Sequence, residues 1–532
     1  MTHGPLALAL ALLTTAAGCA RGTCPPLSPS DVQGAALLPG GLMNVPYDGL
    51  PYHGDTRALD VYPHADEAVR PLALVLRGGA GTVGKRSSYV GQLIELFGDA
   101  GYVVAAADYR SSSVDAGVRD VTEALRLLTQ CHADALHVDQ YRTVIVAEDS
   151  AAPVALDVSA TLLEKRLGRS AADPAAPAAI AILGGRFTGT GAAPAVPTRI
   201  VHGGGDSEVP PADAQAICDQ APDTCDVAIV EGASHRVENW WPSQWGYKDD
   251  LLAWAATHAG PVPPAARPGQ SALRKRVVFD AATGLMLDAW APDGAGPHPA
   301  VVVVHGGGWE AGDRVTYATP IIELAVRLGF AWVSIDYRLT PGVTNREQVA
   351  DVKAALAWVR AHAADLRIDR SRLVLVGESA SGQLVTHVAA SEPDLRGVVS
   401  LYGVYDLEAM AGDPANPRSL ARRLFGFTML DDAARATLRE FSPLRQASAS
   451  LPPMLLVVGT EDRLAEQQRA YAAALRAAGA RVEPWPPATR AIRGRVDIVE
   501  IPDAPHGVEA WNDEPSWRIW EVRVGDWLRF LI

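Results

Sequence analysis

The order of short motifs along this chain is played out twice. In the first half stand LDVYP (Leu59–Pro63), LALVLRGGAG (Leu72–Gly81), GYVVAAADYR (Gly101–Arg110), YRTVIVAEDSAA (Tyr141–Ala152), RIVHGGGD (Arg199–Asp206) and SHRVE (Ser234–Glu238). LDAWAP (Leu287–Pro292), AVVVVHGGGW (Ala300–Trp309), GFAWVSIDYR (Gly329–Arg338), SRLVLVGESASG (Ser371–Gly382), LLVVGTED (Leu455–Asp462) and PHGVE (Pro505–Glu509) follow in the same order in the second. An internal duplication on this scale restricts the chain to two copies of one folding unit. Between them lies GPVPPAARPGQ (Gly260–Gln270), Pro/Gly-rich and without apolar periodicity, which reads as an inter-domain linker.

Within each copy, β-branched runs such as Val301–Val304 and Leu373–Val376 are continuously apolar, the pattern of strands covered on both faces. Helix-length amphipathic segments alternate with them. Residues 346–364, for example, place Val349, Val352, Leu356 and Val359 on one face. Strands alternating with helices predict the α/β class, each copy a mostly parallel sheet covered by helices. The expected boundaries are a first domain over 36–258, a linker over 259–272 and a second domain over 273–532. With 48% hydrophobic and 20% charged residues the chain is not disordered, and a net charge of −14 without any Lys/Arg run excludes nucleic acid as a partner.

The second copy carries hydrolytic chemistry. Val376-Gly377-Glu378-Ser379-Ala380-Ser381-Gly382 follows an apolar strand and precedes a helical stretch, where a nucleophile elbow belongs, with Ser381 in place of the usual second glycine. A serine hydroxyl is a poor nucleophile at neutral pH and needs an imidazole to take its proton and a carboxylate to orient that imidazole. Asp462 and His506 each follow a predicted strand downstream, in the chain order Ser, Asp, His. Stabilising the tetrahedral intermediate needs amide donors, and His305-Gly306-Gly307-Gly308-Trp309 supplies glycines after a strand.

On these motifs, and on GGWEAGDR (Gly307–Arg314) and SIDYRL (Ser334–Leu339), the second half resembles the HGGGW group of α/β-hydrolase esterases, which includes hormone-sensitive-lipase-like, acetyl and feruloyl esterases and arylformamidases. The resemblance implies two tandem α/β-hydrolase domains. It further implies Ser379 as nucleophile, His506 as general base then acid, Asp462 as orienter, and the amides of Gly307, Gly308 and Ala380 as the oxyanion hole. It implies no cofactor and no metal. The expected function is a serine carboxylesterase acting on a short-acyl or aromatic ester, small or linked to polysaccharide. An amidase or arylformamidase with the same triad, or a binding protein without turnover, are the alternatives.

The first copy reads as disarmed. Aligned on the elbows, Asp149 stands opposite Ser379, and Arg77-Gly78-Gly79-Ala80 opposite His305-Gly306-Gly307-Gly308, while Asp206 and His235 match Asp462 and His506. Either this domain is a pseudoenzyme or Asp149 is itself a nucleophile with His235 activating water. Ser379 and Asp462 are 83 residues apart against 57 for Asp149 and Asp206, which makes 404–450, with Tyr405, Phe425, Phe427, Met429 and Phe441, a lid and an apolar wall. A second insertion around Trp485 to Gly494 is expected to rim the pocket.

The run from Pro5 to Gly18 is too short to span a membrane and reads as a signal-peptide core, giving a leader over 1–18. Ala16-Ala17-Gly18-Cys19 resembles a bacterial lipobox, with Cys19 the lipidated mature N-terminus and 19–35 a tether; ordinary cleavage nearby is the alternative. Either way the protein is expected to be exported, to the bacterial cell envelope as a lipoprotein or to the periplasm or medium. Cys218 and Cys225 are close enough to bridge, whereas Cys24 and Cys131 show no pairing in the sequence.

Overall fold

The computed structural model describes residues 24–28, 33–47, 57–78, 90–167, 176–188, 192–235, 247–266, 273–486, 494–511 and 516–532. Its first sheet is built from Leu42–Pro46 (β1), Ala58–Tyr62 (β2), Arg70–Leu76 (β3), Val103–Ala107 (β4), Val138–Glu148 (β5), Ala179–Leu183 (β6), Thr198–Gly203 (β7) and Cys225–Val230 (β8). The second is built from Leu273–Asp280 (β9), Leu285–Trp290 (β10), His298–Val304 (β11), Ala331–Ile335 (β12), Ile368–Glu378 (β13), Gly397–Leu401 (β14), Met454–Gly459 (β15), Arg481–Pro484 (β16) and Arg495–Ile501 (β17). The spatial orders are β1-β2-β4-β3-β5-β6-β7-β8 and β9-β10-β12-β11-β13-β14-β15-β17-β16. The sheets match strand for strand, with β16 an added edge. In each, the first two pairings are antiparallel and the rest parallel.

Central strands such as β3 and β12 are buried at every residue, because helices cover both faces and no side of the pleat meets water. Four helices matter below: α1 (Gly91–Asp99), α2 (Thr319–Arg327), α3 (Asn345–Ala361) and α4 (Ala380–Ala389). On α3 the four apolar residues read from the sequence are all buried, and a Thr344/Glu347 capping box starts the helix. One apolar cluster lies on the outer face of each sheet. A third runs between the halves and joins Leu93, Ile94 and Phe97 of α1 to Ile321 and Ile322 of α2 and to Trp332. The two domains therefore share a core and are not beads on a string.

Three expectations are corrected. The described part of the 19–35 tether is fastened to the first domain. Cys24 is disulfide-bonded to Cys131 at 2.12 Å, His132 Nε2 lies 2.8 Å from the Pro25 carbonyl, and Ala35 is buried in the shared core. A contact across 107 residues leaves no local signal, which is why the pairing was not legible. Cys218 and Cys225 are also bonded. Cys19 and the leader lie outside the described residues.

The aromatic set of 404–450 is not a uniform wall. Tyr405 is buried, stacked on Tyr471 at 4.6 Å and hydrogen-bonded to Ser400 at 2.8 Å. Phe441 is buried against His387 and Phe425, whereas Met429 is 63% exposed. Trp485 packs on Phe530 with its ring centroid 5.4 Å away, and joins the shared core, so it does not rim the site. The remainder of that insertion, 487–493, lies outside the described residues.

The loop closed by Cys24–Cys131 is much longer than that closed by Cys218–Cys225, with sequence separations of 107 and 7. Loop-closure entropy grows with length, so Cys131→Ser is expected to cost about 2–4 kcal/mol of stability, and Cys225→Ser less. Urea denaturation of the two variants under non-reducing conditions checks the order.

Candidate active site

Parallel pairing brings the carboxyl ends of β11, β13, β15 and β17 to one level of the second sheet, with Val304 opposite Gly377 and Gly459 opposite Ile501. Loops leaving these ends meet at one edge, where ligands bind in open α/β sheets. The first of them after β13 is the turn into α4. Ser379 sits there at φ 51°, a left-handed conformation uncommon for a residue with a side chain, and its N–H donates to the Leu401 carbonyl at 2.9 Å. Gly377 is required by space, since a Cβ would lie 2.5 Å from the Ser381 carbonyl oxygen.

Ser381 fits the elbow. Its hydroxyl accepts the Glu378 N–H at 2.8 Å and lies 2.7 Å from the Val304 carbonyl, so it ties the elbow to the end of β11.

Ser379, Asp462 and His506 converge. His506 Nε2 lies 3.0 Å from Ser379 Oγ, and His506 Nδ1 lies 2.7 Å from Asp462 Oδ2. The Asp462 side chain is fully buried, and its other oxygen accepts the Leu464 N–H at 2.8 Å, which fixes the carboxylate on the loop after β15. The imidazole is one-third exposed and so open to a substrate. Such a chain can pass a proton from hydroxyl to imidazole while the carboxylate stabilises the resulting cation.

The glycine run packs directly on the elbow. Gly306 N–H donates to Glu378 Oε1 at 3.3 Å, and Gly307 turns at φ 101°, with its carbonyl accepting the Glu310 and Ala311 amides at 3.1 and 3.0 Å. A side chain at Gly307 would meet the Ala311 carbonyl oxygen at 2.2 Å, so only glycine serves there. The amides of Gly307 and Gly308 meet no acceptor among the described residues, and Ala380 opens α4, where first-turn amides have no partner within the helix. Donors of this kind can hold a developing oxyanion.

His305, despite heading the motif, is buried and stacked on Tyr337 at 4.3 Å, and burial pushes its pKa down to about 4. It is a neutral packing group. Two residues at the site were not singled out in the sequence. Glu378, the residue before Ser379, accepts from Gly306 and from the Tyr402 hydroxyl, and Tyr402 stands edge-on to the His506 ring at 4.6 Å and accepts the Val508 N–H at 3.0 Å. Glu378 had a positional signal in the elbow, but Tyr402 had none. A second network, Trp309 Nε1 to Gln383 at 3.0 Å and Gln383 to Asn345 and the Phe441 carbonyl, joins the glycine loop, α3, α4 and the lid segment.

The first domain builds the same frame around different chemistry. Asp149 occupies the elbow at φ 46°, His235 Nε2 lies 3.1 Å from Asp149 Oδ1, and His235 Nδ1 lies 2.7 Å from Asp206 Oδ2. Arg186 adds a cation, with Nε 3.0 Å from the same Asp149 oxygen. Burial raises the Asp149 pKa, but bonds from His235 and Arg186 outweigh it and hold the carboxyl below its ordinary value. Burial likewise acts on Asp206, where the Val209 amide and His235 prevail and lower it. The Asp149 hydrogen bond, with that of Asp206, raises His235 to about 9. Arg186 Nη2 also lies 3.2 Å from His235 Nε2, the nitrogen that faces Asp149. Arg77 and Gly78 lie within the described residues, whereas Gly79 and Ala80 lie outside them.

Among the described residues no cluster of His, Cys, Asp and Glu could hold a metal ion, and no helix is long and apolar enough to cross a membrane.

Comparison with known proteins places the second half. Residues 301–485 match the family model described as alpha/beta hydrolase fold. Esterase LipC of Mycobacterium tuberculosis is 28% identical over 49% of this chain and 66% of its own length. The carboxylic ester hydrolase LipM, a probable assignment in the same organism, is 30% identical over 35% of this chain and 46% of its own. The chain thus spans between about half and two thirds of these relatives. A solved structure of a truncated carbohydrate esterase from gut microbiota is 18% identical, with a TM-score of 0.40 over 50% of this chain and 98% of that one. Residues 301–485 are thus similar to the alpha/beta hydrolase fold family, and proteins named as esterases are among the relatives of the second half.

Proposed function

We propose that the protein is a serine carboxylesterase whose second domain hydrolyses a short-acyl or aromatic ester through an acyl-enzyme at Ser379. The observation that carries this is the hydrogen-bonded run Ser379, His506, Asp462, at 3.0 and 2.7 Å, beside two glycine amides with no acceptor among the described residues. His506 takes the hydroxyl proton as Ser379 attacks the ester carbonyl, then gives it to the leaving alcohol, and water repeats the sequence to release the acid. Gly307, Gly308 and Ala380 amides receive the negative charge on the carbonyl oxygen, a term worth roughly a hundred- to a thousand-fold in rate per donor. Relatives named as esterases support the ester over the amide.

The first domain, on this reading, has no hydrolytic role, because Asp149 is paired with Arg186 and His235, and the Asp149 and Asp206 hydrogen bonds raise the His235 pKa to about 9, which favours its charged form. Two disulfides, Cys24–Cys131 and Cys218–Cys225, support export to an oxidising compartment. Lipidation at Cys19 and a polysaccharide-linked substrate are further proposals that rest on the sequence motif and the resemblance alone.

Three outcomes are expected. A fluorophosphonate probe labels the full-length protein once, and Ser379→Ala abolishes both labelling and aryl acetate turnover. Folded, correctly processed protein that does not label overturns the esterase reading. Asp149→Asn leaves turnover within about twofold of wild type, since the group lies outside the transition state. A severe loss in the folded variant overturns the disarmed reading. Because the folded-state pKa of His235 lies above its ordinary 6.5, at about 9, its pairing stabilises the fold fully below pH 6.5 and is lost as the pH rises through 9. The gap in melting temperature between wild type and Asp149→Asn is therefore wider at pH 6 than at pH 10.

A further inference from the structure

The shared core carries a buried ionic cluster to which both halves contribute. Arg314, six residues beyond Gly308, donates through Nε to Asp288 at 3.0 Å and through its backbone N–H to Asp336 at 2.8 Å. Its third partner comes from the other domain. Glu95 of α1 lies 3.1 Å from Arg314 Nη2 and 2.7 Å from Lys275 Nζ, which also pairs with Asp288. All these side chains are at most 15% exposed.

The contact extends along α1. Gln92 Nε2 donates to Thr316 Oγ1 at 2.6 Å, and Thr316 and Val315 both lean on Asp313 Oδ1, closing a turn around Arg314. Gly91 lets the helix approach that turn, because a Cβ there would lie 2.8 Å from the Val315 carbonyl oxygen. The turn 313–316 is the downstream anchor of the loop that begins at His305. The upstream anchor is the end of β11. Between them Gly307 and Ala311 are hydrogen-bonded, and Gly312 packs on the His305 ring.

Within the second domain Asp288 and Asp336 face Arg314, and Asp288 also faces Lys275. Glu95 adds an anion from the first domain that touches both cations, and removing one partner of a buried ion pair leaves the other uncompensated.

We infer that the first domain serves the second as an intramolecular clamp: Glu95, through Arg314, holds the glycine loop 306–312 in the geometry that presents its amides, and is a positioning residue for the site in the other half of the chain. The catalytic consequence rests on the esterase reading above; the clamp on the loop does not.

The test uses full-length protein with Glu95→Ala, Glu95→Gln and Asp99→Asn. Asp99 pairs with Arg276 at the same interface and is 42% exposed, without touching Arg314. Each variant is checked by gel filtration and thermal melting, then assayed for kcat and KM on 4-nitrophenyl acetate and for amide hydrogen exchange in the peptide covering 305–316. Misaligned oxyanion donors lower the rate rather than binding, so Glu95→Ala is expected to reduce kcat about tenfold with KM within about twofold, and to speed exchange in 305–316. Glu95→Gln, which keeps the shape and loses the charge, falls between, and carries the test if the alanine variant does not fold. Asp99→Asn stays near wild type. Unchanged kcat and unchanged exchange in folded Glu95 variants overturn the clamp, as does an equal loss in Asp99→Asn, which would make it general docking. If wild type neither labels nor turns over, the esterase reading fails, and the exchange data alone decide the clamp.

Discussion

The register of one parallel ladder determines where everything else in the second domain falls. Val304 pairs with Gly377, Gly377 with Ser400, Leu401 with Val457 and Gly459 with Ile501, so the strands that precede the glycine loop, the elbow, Asp462 and His506 end side by side. Side-chain alternation has a period of two, so a slip of one residue would send each terminal side chain to the opposite face. The apolar content of β11, β13, β14 and β15 resists such a slip, because the helices on both faces pack against particular residues. Chemistry at this edge is thus a property of the ladder before it is a property of any loop.

What the sequence disclosed followed from how locally each feature is encoded. Strands such as Val301–Val304 and helix α3 announce themselves by composition and periodicity, and the elbow by a strand, small residues and a helix in succession. Ser379, Asp462 and His506 were legible because each lies in the loop or turn that follows a strand, and the fold brings them within hydrogen-bonding distance. Tyr402 and the Cys24–Cys131 bond were not, since each depends on a partner about 100 residues away and nothing beside either one marks it. The lid segment was misread in part for a related reason. Tyr405 and Phe441 look alike in the sequence to Phe425 and Phe427, but burial is decided by Tyr471 and His387, which lie elsewhere in the chain.

The paired elbows show how little backbone change separates two chemistries. Ser379 and Asp149 adopt nearly the same φ, 51° and 46°, and each faces an imidazole carried by an aspartate. Where Ser379 presents a neutral hydroxyl, Asp149 presents a carboxylate that, with Asp206, raises the His235 pKa and also pairs with Arg186. The turn at Asp149 is closely packed, since a Cβ at Gly78 would lie 2.2 Å from the Glu148 carbonyl oxygen.

The common core between α1 and α2 also bears on how the two halves fold. Once two units bury apolar surface against each other, a mutation in one is felt in the folding free energy of both. Apolar surface covered by one half is exposed to water whenever the other unfolds, which ties the solubility of each to the integrity of its neighbour.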